Sequence, residues 1–172
     1  MPFVRNANNT RISDITSVRT ALMMYDGTLP IGLISEERNG KGEVDWVIYP
    51  NYAVLDSNPY IDILGIDLSL RRPEYIRNGI LHVFVKNRTV PDARDDLDEL
   101  LSNIGLKTYD KFEFMLRYGG RSAIDRHQTV QRLPNDYYDY SQGIFGHPLS
   151  DDTRYALRNI LNKKGGCRCQ LD

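Results

Sequence analysis

A chain of 172 residues is long enough for one domain, which can bury roughly 70% of its unfolded surface and needs no staples to fold. Hydrophobic residues at 41%, charged residues at 26% and a formal net charge of −1 suit a soluble globular protein and argue against a dedicated nucleic-acid binder, which is normally basic. No apolar run reaches the roughly 20 residues of a membrane helix. The N-terminus lacks a secretory apolar core, and Cys167 and Cys169 alone make no disulfide framework, so the chain reads as cytosolic.

Residues 1–17 are polar and Asn-rich and read as a flexible lead-in or an outer strand. From Val18 the pattern becomes strand-like: VRTALMMYD and LPIGLIS flank a hairpin turning at Asp26-Gly27. EERNGKGE is a turn cluster. EVDWVIYP follows as a third strand, alternating Val44, Trp46 and Ile48 against Asp45 and Val47, which makes an antiparallel meander with Trp46 on its covered face. Pro50, Asn51, Asp56, Ser57, Asn58 and Pro59 mark a loop. YIDILGIDLSL has strand period, with a bulge expected at Gly65. RRPEYIRNGILHVFVKNR fits both periods; the spacing of Ile76, Ile80, Leu81 and Phe84 favours a helix.

The stretch 84–127 is the most clearly punctuated. Pro91 cannot continue a helix from upstream. Asp92 is placed to cap a new one over 92–104, with Leu97, Leu100, Leu101 and Ile104 as its apolar stripe and Gly105 as its left-handed stop. Asp110 caps a second helix over 110–118, with Phe112, Met115 and Leu116 on one face and Gly119-Gly120 as its exit. HQTVQRL reads as a short strand and NDYYDYSQGIFGHP as an aromatic loop. SDDTRYALRNILNKKGG reads as a last helix, stopped by Gly165-Gly166. The expected fold class is α+β: an N-terminal antiparallel β meander, a small helical bundle and a C-terminal helix. Residues 18–164 form one domain, 18–72 mainly β and 73–164 mainly α, and 165–172 a flexible tail.

Catalytic equipment is hard to find. Gly40 and Gly42 lie in a hairpin turn and Gly119-Gly120 follows a helix, so neither makes the phosphate cradle that opens one. His82, His127 and His147 lack ligand spacing. Asp125 and His127 could form an acid–base pair, but no nucleophile completes a triad. Cys167-Arg168-Cys169 is half a metal site at best and reads as tail. Asp95, Asp96, Asp98 and Glu99 lie opposite the leucine stripe, as on a solvated face. NDYYDY suits a partner-binding loop and a self-packed surface loop equally. Arg88 and Arg94 straddle Pro91: they either converge on one carboxylate or phosphate or pin two helices together, and pinning is the preferred reading.

The run NRTVPDARDDLDELLSNIGL, followed by FMLRYGGRSAIDRH, resembles the N-terminal subdomain of HipA-type serine/threonine kinases, particularly the divergent Gram-positive members. Arg88, Val90, Pro91, Arg94, Leu97, Ile104 and Gly105 fall on that family's Arg-x-Ile-Pro-x-x-Arg, leucine-rich helix and Leu-Gly-Ile pattern. Arg117, Gly120, Ser122 and Asp125 fall on its Lys-x-x-Gly-Leu-Ser-Leu-x-Asp segment. LMMYDGTLPIGLIS and DWVIYPNYAVL are similar to its opening hairpin and strand-loop, so the likeness covers about residues 20–130. The departures are Phe84 in place of an aromatic pair, Arg121-Ser122-Ala123 in place of Leu-Ser-Leu, and an extra stretch at 55–72.

The resemblance implies a non-catalytic module that in relatives packs on a kinase core; in three-gene toxin–antitoxin systems a free-standing version restrains the kinase. None of the matching positions is catalytic. The expectation is therefore a protein that is not an enzyme, uses no cofactor or metal, touches neither membrane nor nucleic acid, and binds a HipA-type kinase or a complex containing one. Arg88, Arg94, Arg121 and Asp125 are its expected exposed partner-binding residues. The alternatives are a phage or mobile-element protein with a structural or defence-blocking role and, more remotely, a small hydrolase or transferase using Asp125 and His127.

Overall fold

The computed structural model describes residues 12, 14–78, 81–118, 120–125 and 127–133; the expected aromatic loop at 135–148, the helix at 150–164 and the tail at 165–172 lie outside them. Strands β1 (Ile15–Tyr25) and β2 (Leu29–Asn39) form the expected hairpin. Asp26 and Gly27 both take positive φ, 50° and 69°, as a type I′ turn requires to match strand twist. Strand β3 (Val44–Pro50) pairs antiparallel with the far side of β2, which completes the three expected strands. Two more join at the edges: β4 (Tyr75–Asn78) beside β3 and β5 (Gln128–Arg132) beside β1, giving the order β4-β3-β2-β1-β5.

Several expected elements are corrected. Ile61 and Ile63 are buried as the alternation implies, but residues 60–70 have no strand to pair with and bond locally, Ile61 N–H to Asn58 O and Ile66 N–H to Ile63 O, before a 3-10 turn at Leu68–Leu70. The helix favoured within 71–88 is instead β4 followed by the short α2 (Val83–Lys86), because the open edge of β3 supplies a ladder that outweighs local periodicity. Helix α3 (Leu97–Asn103) starts five residues after the expected Asp92; Asp92 pairs with Lys111 Nζ at 2.6 Å. Its stop is the expected one: Gly105 has φ 77°, and the Leu106 N–H reaches Leu101 O at 2.8 Å, a Schellman closure.

One face of the sheet carries Ala21, Met23, Ile34, Trp46, Ile48 and Val130. It packs against α1 (Tyr52–Leu55), α2 and α4 (Lys111–Arg117) through Tyr52, Leu55, Phe84, Val85, Phe112 and Met115. Trp46 stacks on Phe112 with centroids 6.4 Å apart, on the covered face as expected. Burying each such side chain contributes roughly 1.5–3 kcal/mol. The opposite face gathers Val18, Leu22, Met24, Leu33, Val47 and Tyr49, with Glu37 and Asp45 fully buried beside them. The helices are short; α1 lies against β2, α4 against β5, and α2 touches α4. The result is a mixed α+β chain built on one antiparallel sheet.

Asp110 caps α4 as expected, accepting from the N–H groups of Phe112 at 3.0 Å and Glu113 at 3.2 Å. Its other carboxylate oxygen takes Arg19 at 2.5 Å, and Arg19 also bonds the buried Glu36 at 2.6 Å. Burial opposes the charge on Asp110, yet the Arg19 hydrogen bond and the Glu113 N–H hold its carboxyl below the usual carboxylate range. Asp110→Ala removes the cap and the tie from α4 to the sheet together. Its expected cost is about 1–2 kcal/mol in urea denaturation at neutral pH, shrinking as the pH falls through the carboxylate range, where the wild-type bond is itself lost.

Gly120, just beyond α4, has φ 60°, and a Cβ placed there would meet Val130 N at 2.4 Å and Val130 O at 2.7 Å. No side-chain rotation relieves a clash with backbone. Gly120→Ala is expected to destabilise by about 2–3 kcal/mol, with hydrogen exchange accelerated first at the β5 amides as that edge strand is pushed from β1.

Candidate functional site

Of the four residues expected to face a partner, two meet inside the protein. Arg88 follows the C-cap of α2 and turns inward beneath the segment 120–128. Its Nε donates to Gly120 O at 2.7 Å, one terminal nitrogen to Phe84 O at 3.1 Å, and the other to Asp125 Oδ1 at 2.5 Å and Gln128 O at 3.2 Å. The guanidinium lies 3.5 Å over the Phe84 ring. Arg88 is only 3% exposed, which corrects its expected surface position. Burial pulls its pKa below the ordinary arginine value, and the Asp125 charge opposes that pull. Arginine suits this place because its planar fork reaches several acceptors at once while remaining charged. Asp125 is thereby committed: it holds Arg88, not His127, so the acid–base pair considered from sequence does not form. His127 Nδ1 lies 2.7 Å from Asp26 Oδ1 in the β1–β2 turn.

Arg94 stays on the surface and pairs with Asp96 two residues on. Arg88 and Arg94 therefore do not converge on a common anion. Arg121 is exposed and makes no hydrogen bond or ion pair among the described residues. It lines a groove of about 940 Å³ between the end of α4, strand β5 and the β1–β2 turn, with Arg117, Tyr118, His127 and Arg132. Tyr118 stacks on Phe114, rings 9° from parallel and centroids 5.1 Å apart. It remains 55% exposed and Ile124 is 70% exposed, enough to leave two large apolar surfaces beside Arg121. The groove-lining residues beyond Arg121 were missed in sequence, since only the pairing of β5 onto β1 brings Arg132 and His127 beside α4. Arg117 and Arg121 flanking Gly120 were the one visible signal.

A second titratable group is buried nearby. His82 is 2% exposed and caps α2: its Nδ1 accepts from the Phe84 N–H at 3.1 Å, so the ring proton sits on Nε2, which has no partner among the described residues. Burial, reinforced by the Arg77 charge, pushes its pKa down to about 3. A neutral, enclosed imidazole of this kind is part of the packing.

Among the described residues no three His, Cys, Asp or Glu side chains gather closely enough to hold a metal ion, and no helix is long and apolar enough to cross a membrane. No protein-family model, curated protein or solved structure matches the chain.

Proposed function

We propose that the protein acts by binding a protein partner through the surface formed by Tyr118, Arg121 and Ile124, and that a HipA-type kinase is the first partner to test. The observation that carries this reading is how the 120–125 segment is built. Arg88 clamps it from inside through Gly120 and Asp125, and it presents a guanidinium with no partner among the described residues and a large exposed aliphatic side chain, Ile124. A clamped display surface loses little conformational entropy on binding, and arginine and tyrosine dominate the centres of protein interfaces. The kinase enters through the sequence resemblance alone, and the expected action is to restrain it without chemistry of the module's own. Co-purification with a HipA-type kinase, read by size exclusion and by kinase autophosphorylation, tests this. A stable complex with reduced phosphorylation is the expected result; separate elution and unchanged phosphorylation overturn the kinase assignment.

A further inference from the structure

We infer that the groove between α4 and β5 binds a short, carboxylate-rich peptide segment, with Arg121 and Arg132 as its principal contacts. This deepens the proposed protein-binding role and rests on it, but it makes a separate claim about where and by what chemistry the partner is held. Arg117 and Arg132 both approach a single carboxylate oxygen, Glu113 Oε2, at 3.4 and 2.7 Å, and Arg121 has no acidic partner among the described residues. Two guanidinium groups thus share one carboxylate and a third has none among the described residues, in a chain whose overall formal charge is −1. Among the described residues that line the groove the one acid is Asp26, and it is engaged by His127 at 2.7 Å. A local cationic excess with low-dielectric walls attracts anions selectively.

The excess is not equally available at all three arginines. Arg117 is tied to the end of α3, donating to the carbonyls of Ile104 at 3.1 Å and Gly105 at 3.2 Å. Arg121 has no partner among the described residues, and Arg132 has 63% of its side chain exposed. These two can turn toward an incoming carboxylate and bind it through the planar fork. Tyr118, braced flat on Phe114, adds an aromatic surface to the same groove.

The shape favours a peptide over a nucleic acid. A volume of about 940 Å³ accommodates a few residues of extended chain. Glu113 and Asp26 are negative points that an intermittently acidic peptide can step past but a continuous phosphodiester backbone meets head-on. Gly120 lies against the Val130 backbone, so the peptide is held by side chains in the groove and not as a sixth strand.

The test is fluorescence anisotropy with a labelled peptide alternating glutamate and tyrosine, titrated with the full chain at low salt. A lysine–tyrosine peptide and a single-stranded oligothymidine serve as comparison probes. Saturable binding of the acidic peptide is expected. Arg121→Glu should weaken it at least tenfold, Arg121→Glu with Arg132→Glu should abolish it, and Arg94→Glu, an exposed arginine outside the groove, should leave it unchanged. Arg121 makes no hydrogen bond or ion pair among the described residues, so its variant is expected to fold, which an unchanged melting temperature verifies. Equal loss in Arg94→Glu, no loss in Arg121→Glu, absence of binding, or tighter binding of the oligothymidine overturns the proposal. Capture of a HipA-type kinase undiminished by Arg121→Glu overturns the groove while leaving protein binding intact. Groove-dependent peptide binding without any kinase complex supports the groove and overturns only the kinase assignment.

Discussion

Replacing Arg88 with alanine is expected to lower folding stability by about 3–5 kcal/mol, the range for removing one partner of a buried ion pair. The truncation strands several acceptors at once. Gly120 O and Gln128 O lose their guanidinium donors, and the Asp125 carboxylate, whose Oδ2 already has no partner, becomes an uncompensated buried charge. The cation over the Phe84 ring is lost as well. Urea denaturation of Arg88→Ala beside Arg88→Met with Asp125→Leu separates these contributions. If the stranded charge dominates, the apolar double variant should recover more than half of the loss, since replacing both members of a buried pair is often nearly neutral. A loss of about 1 kcal/mol or less in Arg88→Ala would mean that the clamp does not hold the 120–128 segment as described.

Acidification is expected to be nearly as costly through His82. In the folded protein this imidazole titrates at about 3, whereas in the unfolded chain it takes a proton near 6.5. The unfolded state therefore binds the extra proton across the interval between those values. Stability is full above pH 6.5, falls as the pH drops toward 3, and loses about 1.4 kcal/mol per pH unit from this one group. Between pH 6.5 and 4.5 most carboxylates remain ionised, which makes that interval the diagnostic one. His82→Asn keeps an acceptor for the Phe84 N–H without a titrating ring. Its stability should be flatter with pH over the same interval, even if lower throughout, and an equally steep fall would assign the acid sensitivity to other groups.

The two expectations act on neighbouring parts of one arrangement. His82 caps the start of α2 and Arg88 follows its end, so a four-residue helix too short to persist alone is held by a neutral imidazole at one end and a buried guanidinium at the other. Through Gly120 and Asp125 the same arginine sets the segment that displays Arg121 and lines the groove with β5. A variant that loosens Arg88 should therefore weaken peptide capture as well as stability, while Arg121→Glu should weaken capture alone.

The chain's local chemistry was enough to determine three of its turns and caps and its first three strands, though not the start of α3. Asp26-Gly27 supplies the two positive-φ positions of a tight hairpin turn, Asp110 offers a carboxylate to two orphan helix amides, and Gly105 takes the left-handed stop. Each outcome depends on atoms a few residues apart, so neighbouring residues suffice to specify it. Tertiary structure alone decided that Tyr75–Asn78 is a strand, that Ile61 and Ile63 belong to a loop, and that Arg88 is interior, because each depends on what lies across the fold. An open edge of β3 received β4, no strand was available to 60–70, and acceptors at positions 120, 125 and 128 drew the guanidinium inward. The groove belongs to the same class: its arginines are set in the sequence, but their convergence required β5 to pair with β1 beside α4. Hydrogen-bond partners and charge neighbours supplied from far along the chain are long-range quantities, and short-range periodicity carries no record of them.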